Sequence, residues 1–237
     1  MSEVLALLPG WGLGLAPLRP LAQALQAARP GAQVELLPLP QIGDAEAALT
    51  ALDQVVPAGA WLLGWSLGGM LATALAARRG AACPGLITFA SNPCFVAREG
   101  WPTAMAPEVF DGFAQLCATD RAATLKRFSL LCAQGSLTAR GLARQLAEEG
   151  AVYADSAGLG WLAALDNRAA LTSLRLPQLH LFAEADALVP VEAAAALSKL
   201  APGAVVAAMS GCHAWVNEAA WELAARVATF VEEARHD

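Results

Sequence analysis

The stretch "AWLLGWSLGGMLATALAARR", Ala60 to Arg79, decides the fold. An apolar run enters Gly64-Trp65-Ser66-Leu67-Gly68 and passes directly into an alanine-rich segment of helical character. A strand that turns into a helix this tightly needs small residues on both sides, so that the serine Oγ projects into open space. The first turn of such a helix also offers backbone N–H groups where an oxyanion would develop. The plainer reading is a Gly/Ser turn without reactivity, and the rest of the chain has to decide between the two.

Working outward, similar apolar runs closed by turn residues recur: "VLALLPG" from Val4, "VELLPLP" from Val34, "GLITFAS" from Gly85, "QLHLFAEAD" from Gln178 and "AVVAAMSG" from Ala204. Helical segments lie between them, from about Ala16 to Ala28, Asp44 to Val56, Leu67 to Arg79, Val191 to Leu200 and Asn217 to Glu233. The alternation predicts an α/β protein with a mostly parallel, doubly wound sheet covered on both faces. From about Ala97 to Leu174 the rhythm stops, and only helical segments such as "PEVFDGFAQLCA", "RAATLKRFSLLCAQG" and "LTARGLARQLAEEGA" appear. The expected organisation is a core made of residues 1–96 and 175–237, with a helical cap, 97–174, inserted over one edge of the sheet.

With 237 residues, 57% of them hydrophobic, the chain can bury a substantial core. Its net charge of −6 supplies no overall basic field, which argues against a general nucleic-acid binder. Glu3 and the interruptions Pro9, Gly10, Gly12 and Gly14 make the N-terminus read as strand and loop, not as a signal peptide, and no uncharged apolar run is long enough for a membrane helix. The five cysteines are dispersed and never paired as CxxC, so neither a disulfide framework nor a zinc site is expected, and a reducing cytoplasm fits.

A serine nucleophile requires a base, and the chain has three histidines. His236 is penultimate, in a charged tail, and His180 sits in mid-strand, where a structural imidazole is expected. His213 follows the last strand and is the candidate base. Imidazole in turn needs a carboxylate to fix its tautomer, and Asp186, just after "QLHLF", is better placed than Glu184. The order Ser66, Asp186, His213 is that of α/β-hydrolases, with each residue at the C-terminal end of a predicted strand. The loop after the first strand, "PGWGLG", should contribute one oxyanion donor, the N–H of Trp11, beside that of Leu67. Its GxGxG spacing does not match the GxGxxG of a dinucleotide site, and no metal or redox cofactor is needed.

"GWSLGG", "ASNPCFVAREGWP", "RFSLLCAQG" with "LTARGLARQL", "DALVP" and the His213 segment together resemble the pimeloyl-[acyl-carrier protein] methyl ester carboxylesterases of biotin synthesis, from Leu8 onward. The resemblance implies an α/β-hydrolase fold, Ser66, Asp186 and His213 as the triad, and Trp11 and Leu67 at the oxyanion and substrate site. It further implies that Phe128, Ser129, Leu130, Leu131 and Cys132 line an acyl channel. This chain departs from the family in carrying Pro9 where a histidine usually precedes Gly-Trp-Gly.

Arg121, Lys126, Arg127, Arg140 and Arg144 fall in a window without Asp or Glu, in a chain that is acidic overall. Arg140 and Arg144 share a helix face at their spacing, and the patch is suited to an acidic carrier protein or its phosphopantetheine phosphate, although a solvated helical face is the simpler reading from the residues alone. The resemblance implies the carrier role for Arg127, Arg140 and Arg144, with acyl carrier protein bearing a pimeloyl methyl ester as the partner. Competing readings are a general short-chain carboxylesterase and a catalytically silent ligand-binding module of the same fold.

Overall fold

The computed structural model describes residues 3–150 and 156–236. Its strands are β1 (Val4–Leu8), β2 (Gln33–Leu36), β3 (Trp61–Trp65), β4 (Leu86–Phe89), β5 (Gln178–Ala183) and β6 (Val205–Met209). Helices α1 (Arg19–Ala28), α2 (Ala45–Val55) and α3 (Leu67–Arg79) follow the first three strands. Between β4 and β5 run α4 (Pro107–Thr119), α5 (Arg121–Ala133), α6 (Ala139–Gly150), α7 (Ser156–Ala164) and α8 (Arg168–Ser173). Helix α9 (Glu192–Leu200) connects β5 to β6, and α10 (Trp215–Glu218) and α11 (Ala220–Glu233) follow β6. All six expected strands are present; Ala151, the last residue of "LTARGLARQLAEEGA", lies outside the described residues.

The strands form one sheet in the order β2-β1-β3-β4-β5-β6, and every pairing is parallel. Strands β3, β4 and β5 are buried along their whole length, which explains why they are mainly apolar on both faces; their buried polar side chains Thr88 and His180 pair with each other at 2.8 Å. The edge strands β2 and β6 are the partly exposed ones. Because the chain leaves β1 outward to β2 and returns to β3 on the other side, the strand order reverses between β1 and β3. A crevice opens at the carboxyl ends of strands at such a reversal. Register pairs Leu8 with Gly64, so the loop after β1 and the turn after β3 emerge side by side.

Local chemistry sets several helix starts. Asp44 accepts from the N–H of Ala47 ahead of α2, and Asp120 from that of Ala123 ahead of α5. Pro107 occupies the first turn of α4, where its missing N–H costs nothing. Helix α3 is buried on nearly every face, consistent with its alanine and glycine content and with a position between the sheet and α8. Asn167, ahead of α8, donates from Nδ2 to the carbonyl of Met70 at 2.9 Å and pins that contact. No helix among the described residues is long and apolar enough to cross a membrane.

Candidate active site

Ser66 joins β3 to α3 with φ 55° and ψ −120°, a conformation rare for a non-glycine residue. Backbone bonds hold it there. Its N–H donates to the Phe89 carbonyl at 2.9 Å, and its own carbonyl accepts from Gly69 N–H at 2.9 Å and from Ser91 Oγ at 2.8 Å. The two flanking glycines are required by packing: a Cβ on Gly64 would overlap the backbone of Gly68, and one on Gly68 would overlap the carbonyl oxygens of Leu8 and Pro9. The elbow is therefore wedged against the end of β1.

The loop after β5 brings in Asp186. Its Oδ1 accepts from the N–H groups of Leu188, at 2.8 Å, and Val189, at 2.9 Å, while Oδ2 lies 2.7 Å from Nδ1 of His213. The side chains of Asp186 and His213 are both fully buried. A carboxylate in this position keeps the proton on Nδ1 and leaves Nε2 as the acceptor nitrogen. Nε2 is buried, with no hydrogen-bond partner among the described residues. The bond to Ser66 Oγ is thus not closed here; catalytic hydrogen bonds of this kind tighten when substrate binds. Glu184, the other acid of that loop, is exposed and accepts from Ser210 Oγ.

Trp65 joins the two halves of this arrangement. Its indole N–H donates to the backbone carbonyl of His213 at 2.9 Å, and its ring lies 5.6 Å from the imidazole. Of the two roles the sequence leaves open for Trp65, lining the acyl pocket or packing beneath the elbow, the structure shows the second, and adds a bond to the histidine loop 148 positions away. Ser91 and the Leu188 and Val189 amides are further supports that no motif announced. His180 stays in the core as expected: Nδ1 pairs with Thr88 Oγ1 at 2.8 Å, and burial pushes the imidazole down to about 4.

Leu67 opens α3, so its N–H points out at the positive end of the helix. Gly10 abuts the nucleophile, since a Cβ there would come within 3.3 Å of the Ser66 Cβ. Next to it, Trp11 packs edge-on against Phe113 and Phe128, with ring centroids at 5.4 and 5.0 Å. Trp11 and Leu67 line a cavity of about 350 Å³ whose other walls include Pro9, Pro38, Leu39 and Trp161.

The five residues Phe128 to Cys132 do not share one surface. Phe128 and Leu131 border a small apolar cavity of about 30 Å³ with Phe113, Leu162 and Leu188. Ser129 and Cys132 are fully buried, and Leu130 is exposed on the opposite side. Successive residues on a helix advance by about 100° around the axis, so a contiguous run cannot all face one channel. The basic residues divide in the same way. Arg140 and Arg144 line a groove of about 650 Å³ between α5 and α6, together with Arg121, Lys126 and Leu130. Arg127 borders the small cavity beside Phe128.

A parallel sheet in this order, with a strained serine after β3, an acid after β5 and a histidine after β6, defines an α/β hydrolase. The chain belongs to that family: the family model described as alpha/beta hydrolase fold matches residues 43–218. Among its relatives are proteins named pimeloyl-[acyl-carrier protein] methyl ester esterase. The one from Aeromonas hydrophila is 41% identical over 202 residues, covering 78% of each chain. A biotin biosynthesis bifunctional protein BioHC from Cellvibrio japonicus is also 41% identical, over 83% of this chain, but the chain spans only 41% of that relative's length. In the second bifunctional relative, from Teredinibacter turnerae, it spans 39%. Among solved structures, a bromoperoxidase from Bacillus anthracis superimposes with a TM-score of 0.83 at 18% identity, covering 98% of this chain and 92% of that one, and supports the fold alone.

Proposed function

We propose that the chain is a serine carboxylesterase that hydrolyses the methyl ester of a pimeloyl group carried on acyl carrier protein, as a cytoplasmic step of biotin synthesis. The observation that carries the hydrolytic reading is the fully buried Asp186–His213 pair, its Nε2 without a hydrogen-bond partner among the described residues, in a loop bonded to Trp65, the residue before the strained Ser66. In the proposed cycle Nε2 takes the Ser66 proton as Oγ attacks the ester carbonyl, and the N–H groups of Leu67 and Trp11 receive the oxyanion. The imidazolium returns the proton to the departing methoxide, so methanol leaves. Water deprotonated by the same nitrogen then attacks the acyl-enzyme, and the imidazolium returns that proton to Ser66 Oγ as it leaves, which frees the ω-carboxylic acid and regenerates the serine. Asp186 orients the imidazole and stabilises the imidazolium as it forms.

The choice of substrate rests on relatives of that name and on the groove between α5 and α6. In this reading residues 97–174 act as a cap over the site, and Arg140 and Arg144, which with Arg121 and Lys126 outnumber the single acid Glu148 in the groove lining, receive the acidic carrier. Arg127 would then serve nearer the acyl chain, beside Phe128 and Leu131. The test is the pair Arg140→Ala and Arg144→Ala, assayed on the carrier-borne methyl ester and on a free short ester at several ionic strengths. Selective loss on the carrier substrate, with a shallower salt dependence, supports docking; equal loss on both returns the chain to a general short-chain esterase. A folded protein that no fluorophosphonate labels would instead be a silent binding module.

A further inference from the structure

The turn between α5 and α6, residues 134–138, is fastened to the loop that carries His213. Glu218, on α10, accepts at Oε1 from Ser136 Oγ at 2.8 Å and from Thr138 Oγ1 at 2.7 Å, and its Oε2 lies 3.9 Å from Sγ of Cys212, the neighbour of His213. Ser136 Oγ in turn accepts from the Thr138 N–H at 2.9 Å, which shapes the turn toward the carboxylate. Two other contacts close the same junction. The Ala214 N–H donates to the carbonyl of Cys132, the penultimate residue of α5, at 3.0 Å. Gly135, with φ 95°, seats directly on Ala185, the residue before Asp186; a Cβ there would come within 2.6 Å of the Ala185 Cβ.

We infer that Glu218 is a positioning residue: it latches the helix pair that receives the carrier onto the loop that holds the base. The inference rests on the carrier reading above for what the latch serves. Helices α5 and α6 carry the basic groove on one side and Phe128 and Leu131 on the other. Their turn is the point at which that unit meets both the Asp186 and the His213 loops. Glu218 is exposed, so its hydrogen bonds exchange readily with water. Such a latch can release and reseat while the buried Asp186–His213 pair stays in place.

Glu218→Ala, Glu218→Gln and the double variant Ser136→Ala/Thr138→Val test this, with kcat and KM measured on the carrier-borne methyl ester and on p-nitrophenyl butyrate. Amide hydrogen exchange at residues 134–138 and at Ala214 is followed in parallel. Glu218→Ala should raise KM for the carrier ester about fivefold and KM for the free ester less than about twofold. Glu218→Gln, whose amide oxygen still accepts from both hydroxyls, should restore most of the loss. The double variant should match Glu218→Ala, with no added loss when the two are combined, and exchange in the turn should accelerate. Equal KM changes on both esters, or fully additive losses, overturn the latch. If the wild type does not cleave the carrier ester, the substrate assignment falls, and exchange alone decides: faster exchange in Glu218→Ala upholds the latch, unchanged exchange overturns it.

Discussion

The indole N–H of Trp65 donates to the backbone carbonyl of His213 at 2.9 Å, tying the residue before the candidate nucleophile to the residue proposed as its base. Both partners are buried, so the bond has no water to replace it. Trp65→Phe keeps most of the ring packing but leaves that carbonyl unsatisfied. It should cost about 1–3 kcal/mol of stability by denaturant titration and reduce kcat on any ester roughly tenfold, with KM little changed. A variant of unaltered kcat would remove Trp65 from the positioning of the histidine.

Asp186→Asn separates orientation from charge. The amide oxygen can still accept from the Leu188 and Val189 N–H groups, so the loop should hold its shape. The amide NH2, however, donates toward Nδ1 of His213 and moves the imidazole proton to Nε2, where it can no longer accept from Ser66. A loss of about 10³-fold or more in kcat, with a melting temperature within a few degrees of wild type, is expected.

His180 should make the protein acid-sensitive without touching catalysis. Burial holds its folded pKa at about 4, below the ordinary value of 6.5, so between those values the unfolded chain binds the extra proton. Stability contributed by the neutral, buried imidazole is therefore complete above about pH 6.5 and is lost progressively as pH falls toward 4, by about 3 kcal/mol in all. His180→Asn should flatten the urea midpoint against pH across that window. An unchanged slope would assign the acid sensitivity to other groups.

The cysteines should be inert in the native state. All five are buried, and burial pushes Cys94 up to about 12 and Cys212, beside the proposed base, up to about 11. A thiol reagent at pH 8 should find none in the folded protein and all five in denaturant. Rapid native reaction at Cys212 would show an open path to the His213 loop.

The central sheet was readable from sequence because burial on both faces makes β3, β4 and β5 predominantly apolar, and the elbow because only glycine fits at 64 and 68. The pairing of Asp186 with His213 followed from chain order, since each sits just past a strand end in a parallel sheet. What escaped was everything that depends on contact between distant segments. Trp65 and Glu218 look like an ordinary core residue and an ordinary surface residue until the chain folds. The outward-facing Leu130 was hidden for another reason: a contiguous motif reads as one surface, whereas a helix distributes it around the axis.

The most direct test of the account is turnover of pimeloyl-[acyl-carrier protein] methyl ester by the purified protein, following methanol release and the free ω-carboxylate on the intact carrier by mass spectrometry. Catalytic turnover by the wild type, none by Ser66→Ala, and a free acid still attached to its carrier are expected. A folded protein that cleaves short free esters through Ser66 but leaves the carrier ester intact would contradict it.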